Sequence, residues 1–474
     1  MMMDESRSQR DAASFRDPSG YVFRRDGRIF RAIDRDCHRI LGELIDGGVL
    51  GRLIEQRLLV GTRPVDDPEL LSTLRHEHPG YEHFVEHDLI EPITYPYEWS
   101  ASMLADAALL TLDLQERLLE AGHSLKDATP YNVQFMGGRP VFIDVSSIER
   151  PARLDVWIAL GQFGQMFTFP LLLHRHHGWD LRSYFVGSLG GRDLEQVSRS
   201  LGRLGRWRPR NLLDVTLPLL FHRRASRMTN DGRSRLEREN PDPRAQLMNL
   251  RRLRTKVRAL AHGYRPRSTW SDYTSTCSYA DQSEAAKKAA VERYLRSIGP
   301  ATVLDIGCNT GDYSRIAARC GARVVAADAD HDAVELLHRR LRNESAAITP
   351  MVLDLSSPSP AIGYLNRERP SFLDRVGADC VLALALIHHL HVSGNLPLPA
   401  IRDLFAALTR RHVILEFVPP HDPMFRRLMT FRSTRHDDFT IEACRDAFAT
   451  AFEVVDEQPI PDSPRTLMLL TKKA

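Results

Sequence analysis

Lysine is scarce in this 474-residue chain: only six of its 64 basic residues are Lys126, Lys256, Lys287, Lys288, Lys472 and Lys473, and the rest are arginine. No lysine precedes Lys126, so the first part of the chain has no ammonium group to bring to a phosphate, a task at which arginine is a poor substitute. Cysteine is sparse too. Cys37, Cys277, Cys308, Cys320, Cys380 and Cys444 are scattered, with no Cys-x-x-Cys pair and no cysteine–histidine set at zinc spacing. That excludes a disulfide framework and a zinc module, fits free buried thiols in a reducing compartment, and assigns no zinc-type metal ligand. Long apolar runs are missing. The best stretch, Val156 to Leu173, is broken by Gly161, Gln162, Gly164 and Gln165, so no membrane span is expected. The polar start, MMMDESRSQRDAASFRD, has no apolar core of a signal peptide, and a cytoplasmic location is expected. A net charge of +3 is too small at this length to call for a nucleic-acid partner.

What remains is the composition of a globular protein, 43% apolar and 26% charged, in a chain too long for one core. Three zones separate. Residues 1–190 alternate strand-like and helical runs. Residues 191–263 are arginine-rich and mostly helical, with a polar break at Asn230 to Pro243. Residues 264–474 alternate strands and helices at short intervals, the signature of a parallel sheet covered by helices. Strands are expected at 301–305, 323–328, 349–354, 379–385 and 411–418. A closing pair at 452–455 and 466–471 implies one antiparallel strand in a mostly parallel α/β sheet.

The strongest motif is Val303-Leu-Asp305-Ile-Gly307-Cys308-Asn309-Thr-Gly311-Asp-Tyr-Ser: an apolar strand ending in an acid, then a Gly-x-x-x-Gly turn opening a helix. Glycines there allow close approach of backbone to a ligand. The spacing differs from the Gly-x-Gly-x-x-Gly that seats a pyrophosphate, so the ligand has no phosphate at this turn. Asp328 ends the second strand, where a carboxylate accepts hydrogen bonds from both ribose hydroxyls, and Asp354 ends the third. This ordered set resembles the class I S-adenosylmethionine-dependent methyltransferases, with their Rossmann-like fold, over the whole of 264–474. The resemblance implies S-adenosyl-L-methionine as cofactor. It places Asp305 near the methionine end, Asp328 and Ala329 at the ribose, Asp354 and Leu355 at the adenine, and Gly307, Cys308, Asn309 and Gly311 in the turn beneath.

The fourth strand runs into Leu386-Ile-His388-His389-Leu-His391, on the side that faces the methyl group in that family. His388 or His389 is a candidate base for a hydroxyl acceptor, with Glu416 at the end of the fifth strand as its orienter; the bland alternative is that these histidines only cap the strand. Trp270, Tyr273, Tyr279 and Lys287 precede the fold and are candidates to close over a sulfonium, or plain packing. No Asn/Asp-Pro-Pro-Tyr/Phe follows the fourth strand, which argues against methylation of base or glutamine amino groups.

In the first zone, Asp127-x-x-x-x-Asn132 followed by Asp144 at the end of an apolar strand is similar to the catalytic and metal-binding loops of kinases. The resemblance covers about Leu109 to Ile148 and is nearer to small-molecule kinases, since Val145 follows Asp144. It implies an α+β kinase-like domain over 1–190, with Asp127 as base and Asn132 and Asp144 as metal ligands. The chain departs from that pattern: Arg31 or Arg52 would have to replace the phosphate-pairing lysine, and Phe23 to Phe30 is a tight hairpin without a glycine-rich loop. Such residues are also common turn formers. In the arginine-rich connector, Leu250, Leu253, Val257 and Leu260 recur at helical spacing, which reads as a helix with a solvated basic side.

The reading is therefore a methyltransferase acting on an oxygen of a small-molecule or glycan acceptor, resembling nodulation-type, secondary-metabolite and glycan methyltransferases. The alternatives are a bifunctional kinase and methyltransferase, and a methyltransferase of RNA or protein.

Overall fold

The computed structural model describes residues 8–225, 243–262, 264–266, 281–430, 436 and 438–473. Within them the chain forms two compact units. The first comprises the described residues to Phe135, 140–265 and 362–369; the second comprises 136–139, 266–361 and 370–474. Among the described residues no helix is long and apolar enough to cross a membrane.

The first unit opens with the five-stranded sheet β1-β2-β3-β5-β4: β1 Gln9–Arg10, β2 Gly20–Arg25, β3 Arg28–Ile33, β4 Thr62–Pro64 and β5 His83–His87. Asp26 and Gly27 join β2 to β3 with φ of 50° and 71°, the paired positive angles that match a two-residue turn to the twist of its strands. One sheet face packs Phe23, Phe30 and Phe84 on Leu74; Ile33 and Val85 face the main core with α1 (Arg35–Asp46). The centre of that core is α2 (Ala101–Glu120), which carries fourteen buried residues. Apolar on most of its circumference, it needs neighbours on every side. After it come the short pair β6 (Ser124–Leu125) and β9 (Ile148–Glu149), with the hairpin β7 (Val133–Met136) and β8 (Arg139–Phe142) between them.

The stretch Val156 to Leu173 becomes short helical pieces and the start of α3 (Phe169–His177); Val156, Ile158 and Leu160 are exposed, while Trp157, Phe163, Phe167 and Leu171 to Leu173 join the same core. The arginine-rich segment packs there too. α4 (Leu194–Arg206) contributes Val197 and Leu201, and α5 (Pro243–His262) contributes Leu250, Leu253, Val257 and Leu260. Its basic side is partly neutralised within the unit: Arg254 lies 2.6 Å from Asp113 and 2.5 Å from Glu116 on α2.

The second unit is a seven-stranded sheet of order β12-β11-β10-β13-β14-β16-β15. The strands are β10 Thr302–Ile306, β11 Arg323–Asp328, β12 Ile348–Val352, β13 Ala378–Ala383, β14 Thr409–Phe417, β15 Phe452–Pro459 and β16 Thr466–Lys472. β10 to β14 are parallel, and β16 runs antiparallel to both neighbours. The mostly parallel α/β sheet expected from the alternation is thus present.

Its strands are apolar on both faces because helices cover both. Val303, Val324 and Cys380 pack toward α6 (Asp281–Ile298), α7 (Asp312–Arg319) and α8 (His331–Leu341). Leu304, Val325 and Val381 pack toward the opposite face, with α10 (Leu398–Leu408) and α12 (Ile441–Phe448). Between β13 and α10 lies the short α9 (Ile387–Val392), and α11 (Pro423–Met429) follows β14.

Four strands differ from expectation by two residues or more at one end; β13 ends at Ala383 rather than 385, and β14 begins at Thr409 rather than 411. β12 stops at Val352, two residues before Asp354. β15 runs on to Pro459 past a register shift between Val454 and Asp456. An edge strand with charged exposed residues and a bulge has no period-2 apolar pattern to mark its length.

Candidate active site

The strand order reverses between β10 and β13, and in open α/β sheets the crevice outside the carboxyl ends at that point is where ligands bind. The Gly307–Gly311 turn lies there. Gly307 has φ 73° and Gly311 φ 84°, angles at which a side chain is strained, and a Cβ on Gly311 would also stand 2.6 Å from Leu337. The backbone amides of Gly307 and Cys308 both donate to the Ala327 carbonyl, at 2.8 and 3.1 Å, tying the turn to the end of β11.

Asp328 closes that connection. Its Oδ2 accepts the Asn309 N–H at 2.8 Å and its Oδ1 the Asp330 N–H at 2.8 Å. Each carboxylate oxygen has a second lone pair, so the group is oriented and still able to accept two ribose hydroxyls. Burial pushes its carboxyl upward, opposed by those backbone donors. Asp305 is buried, with Oδ2 accepting from Ser314 Oγ at 2.5 Å; burial first, and the charge of Asp328 as a lesser cause, push it up to about 6. Asp354 caps its own turn, taking Ser356 N–H at 2.9 Å and Oγ–H at 2.6 Å. Gly307 and Ala329 are exposed at this edge, while Cys308 and Leu355 are buried under it. Asp305 is buried, and Asp328 and Asp354 are half-buried at this edge.

Beside it runs a buried ionic chain. Glu416, at the end of β14, is wholly buried; its Oε2 lies 2.7 Å from Lys287 Nζ and its Oε1 3.2 Å from Arg465 Nη1. Arg465 also bonds Asp422 at 2.7 Å. Both Glu416 oxygens thus face cations, and its local role is to hold α6 and the β15–β16 loop against β14. Lys287 stands 4.8 Å over the Tyr313 ring. Trp270, Tyr273 and Tyr279 lie outside the described residues.

His388 and His389 open α9 with ring centroids 4.2 Å apart. His388 is 1% exposed, and its Nδ1 has no hydrogen-bond partner among the described residues. Burial drives its basicity far down; His389, partly exposed, is lowered by burial and by the charge of Arg465. Both rings are therefore neutral at physiological pH. Ser314 closes the sequence motif, whereas Asp422 and Arg465 were not singled out from the sequence: they join the site through the topology, and no local spacing announces them.

In the first unit, pairing of β6 with β9 brings Asp127 and Asp144 near one another. Burial, and then the charge of Asp144, raise the Asp127 carboxyl. Asn132 ends a short helical turn and its carbonyl accepts the Ile143 N–H at 2.9 Å. Arg31, on β3, reaches this cluster and exposed Arg52 does not contribute to it. Arg31 Nη2 lies 3.0 Å from Asp144 Oδ1, and its Nη1 lies 2.8 Å from Asp17 Oδ2 and 2.6 Å from Ser146 Oγ. Ser146 Oγ–H lies 2.6 Å from Asp144 and 2.5 Å from Asp17. Arg31, the residue that would have to replace the phosphate-pairing lysine, thus lies beside one carboxylate oxygen of Asp144.

The sheet order, the glycine turn and the acids along its carboxyl edge define an S-adenosylmethionine-dependent methyltransferase, and residues 303–393 match the family described as methyltransferase domain. The chain is 34% identical over 477 residues to nodulation protein NoeA of Rhizobium meliloti (strain 1021), covering 97% of this chain and 96% of that protein. It belongs to the NoeA family. Among solved structures, N-methyltransferase NodS from Bradyrhizobium japonicum WM9 aligns at 14% identity over 41% of this chain and 98% of its own, with a TM-score of 0.31. Magnesium protoporphyrin IX methyltransferase from Synechocystis PCC 6803 aligns at 17% over 40% and 85%, TM-score 0.31. The bifunctional kinase-methyltransferase WbdD aligns at 19% over 41% and 40%, TM-score 0.29.

Proposed function

We propose that this methyltransferase acts on an oxygen of a small-molecule or glycan acceptor, at the carboxyl edge of β10, β11 and β13. The observation that carries the donor half is Asp328, oriented by two backbone amides at the end of β11 with lone pairs to spare. Bound there, S-adenosylmethionine supplies an electrophilic methyl on a cationic sulfur. Asp328 and Ala329 hold the ribose, Asp305 faces the methionine ammonium, Asp354 and Leu355 border the adenine, and Gly307, Cys308, Asn309 and Gly311 form the floor.

On the acceptor side, His389 is the base. Its ring is neutral and, unlike His388, partly exposed, so it can take a hydroxyl proton as the oxygen attacks. His388 packs behind it. Glu416 is a positioning residue that neutralises Lys287 beside the sulfonium site. Residues 1–190, with the arginine-rich segment 191–263, are a decayed kinase-like fold now serving methyl transfer. Arg31 supports that reading: it already neutralises Asp144, the carboxylate a metal would need, so phosphotransfer and the bifunctional alternative are disfavoured.

The test is incubation of the protein with radiolabelled donor and fractionated extract of the producing cell. Label in a small-molecule or glycan fraction, stable to base as an ether is, supports the reading; label confined to RNA or protein overturns it.

A further inference from the structure

α9 carries a third histidine that the methyl-transfer site does not use. His391 is half-buried and held from two sides. Its Nδ1 lies 3.0 Å from the Leu396 carbonyl oxygen, which can only accept, so Nδ1 carries the proton and Nε2 presents its lone pair. Its ring stacks on Phe439 with centroids 4.8 Å apart and planes at 22°, and Phe439 is itself fixed against Phe417 at 5.1 Å. The lone pair at Nε2 faces His436 Nδ1 at 3.1 Å. Donor atoms of His391, His436 and Asp438 all lie within 4.8 Å of one another.

Two imidazole nitrogens bound at about 2.05 Å to a tetrahedral ion stand roughly 3.3 Å apart, so this pair is already close to ligand spacing. The N–H to carbonyl bond behind His391 is the outer contact that fixes tautomer and ring orientation in metal-bound histidines. A hydrogen bond between the two rings would also explain the 3.1 Å approach, but it gives no reason for a carboxylate to join them.

We propose that His391, His436 and Asp438 form a binding site for a divalent cation of the zinc class. Two imidazoles and a carboxylate, with no thiolate, suit zinc, cobalt or nickel more than magnesium or calcium. Three protein ligands leave one position of a tetrahedral ion for water or an anionic group. The ligands come from two distant stretches of chain, so no spacing motif reveals them.

The test uses the untagged full chain, stripped with chelator and titrated with Zn²⁺ by calorimetry and with Co²⁺ by visible absorption. We expect one equivalent bound, with intense tetrahedral cobalt bands, and more than about 10-fold weaker zinc binding in His436→Ala and in Asp438→Asn. Both variants should melt in chelator at the wild-type temperature. Zinc affinity equal in wild type and in the double variant would overturn the assignment. So would wild-type zinc binding no tighter than about 1 mM.

Discussion

Lys287 Nζ lies 2.7 Å from Glu416 Oε2 with 6% and 0% of the two side chains exposed. Two charges this far from water stabilise the fold only as a pair, since removing one leaves the other desolvated. Lys287→Met should therefore cost about 3–5 kcal/mol in urea unfolding. Lys287→Met combined with Glu416→Leu should cost clearly less than the sum of the two single changes. Additive costs would show that the pair is not a buried unit.

The Asp305 carboxyl is pushed up to about 6 from an ordinary 3.8, so on the proposed function donor binding should depend on pH. The fold favours its protonated form, so its contribution to stability is full below pH 3.8 and is lost as pH rises through about 6. Donor binding has the opposite sense, because the donor's ammonium needs the carboxylate. Affinity for S-adenosylmethionine should climb from pH 5 to 7, and Asp305→Asn should reduce that climb and raise stability at pH 8. An unchanged pH profile in the variant would remove Asp305 from the donor site.

His389→Ala should lower the rate of methyl transfer by about 10²–10⁴-fold at unchanged donor affinity, as expected for loss of a general base. His388→Ala should act chiefly on stability, its ring being buried on Phe425 at 6.0 Å between centroids. Equal, small effects of the two changes on rate would mean that the acceptor oxygen arrives already ionised.

On the proposed function, magnesium-ATP should neither shift the melting temperature nor be hydrolysed, since Arg31 already pairs with Asp144 Oδ1. A magnesium-dependent shift that Asp144→Asn abolishes would instead show a working nucleotide site.

The glycine turn and the strand-end acids, which the proposed function makes the donor half of the site, are legible in the sequence because they are local. Asp305 to Gly311 is one continuous strand end and turn, and Asp328 stands at the end of an apolar strand whose period and length identify it. What could not be read there depends on topology. Arg465 meets Glu416 only because β16 pairs antiparallel with β14, and Arg31 on β3 meets Asp144 only through the tertiary fold. The sequence offered Glu416 as partner to a histidine because both end strands on one edge; two cations reach its oxygens instead. The edge strand β15, polar along most of its exposed length, gave too short an expectation for the same reason that edge strands are polar at all.

The central claim is that donor recognition rests on the carboxylate at the end of β11. Calorimetric titration of S-adenosylmethionine into wild type and Asp328→Ala, with urea unfolding of both, tests it most directly. We expect tight binding by the wild type and at least about 100-fold weaker binding by a variant that remains folded, the loss of about 2.7 kcal/mol from charge-assisted hydrogen bonds. Equal donor affinity in a folded Asp328→Ala protein would contradict it.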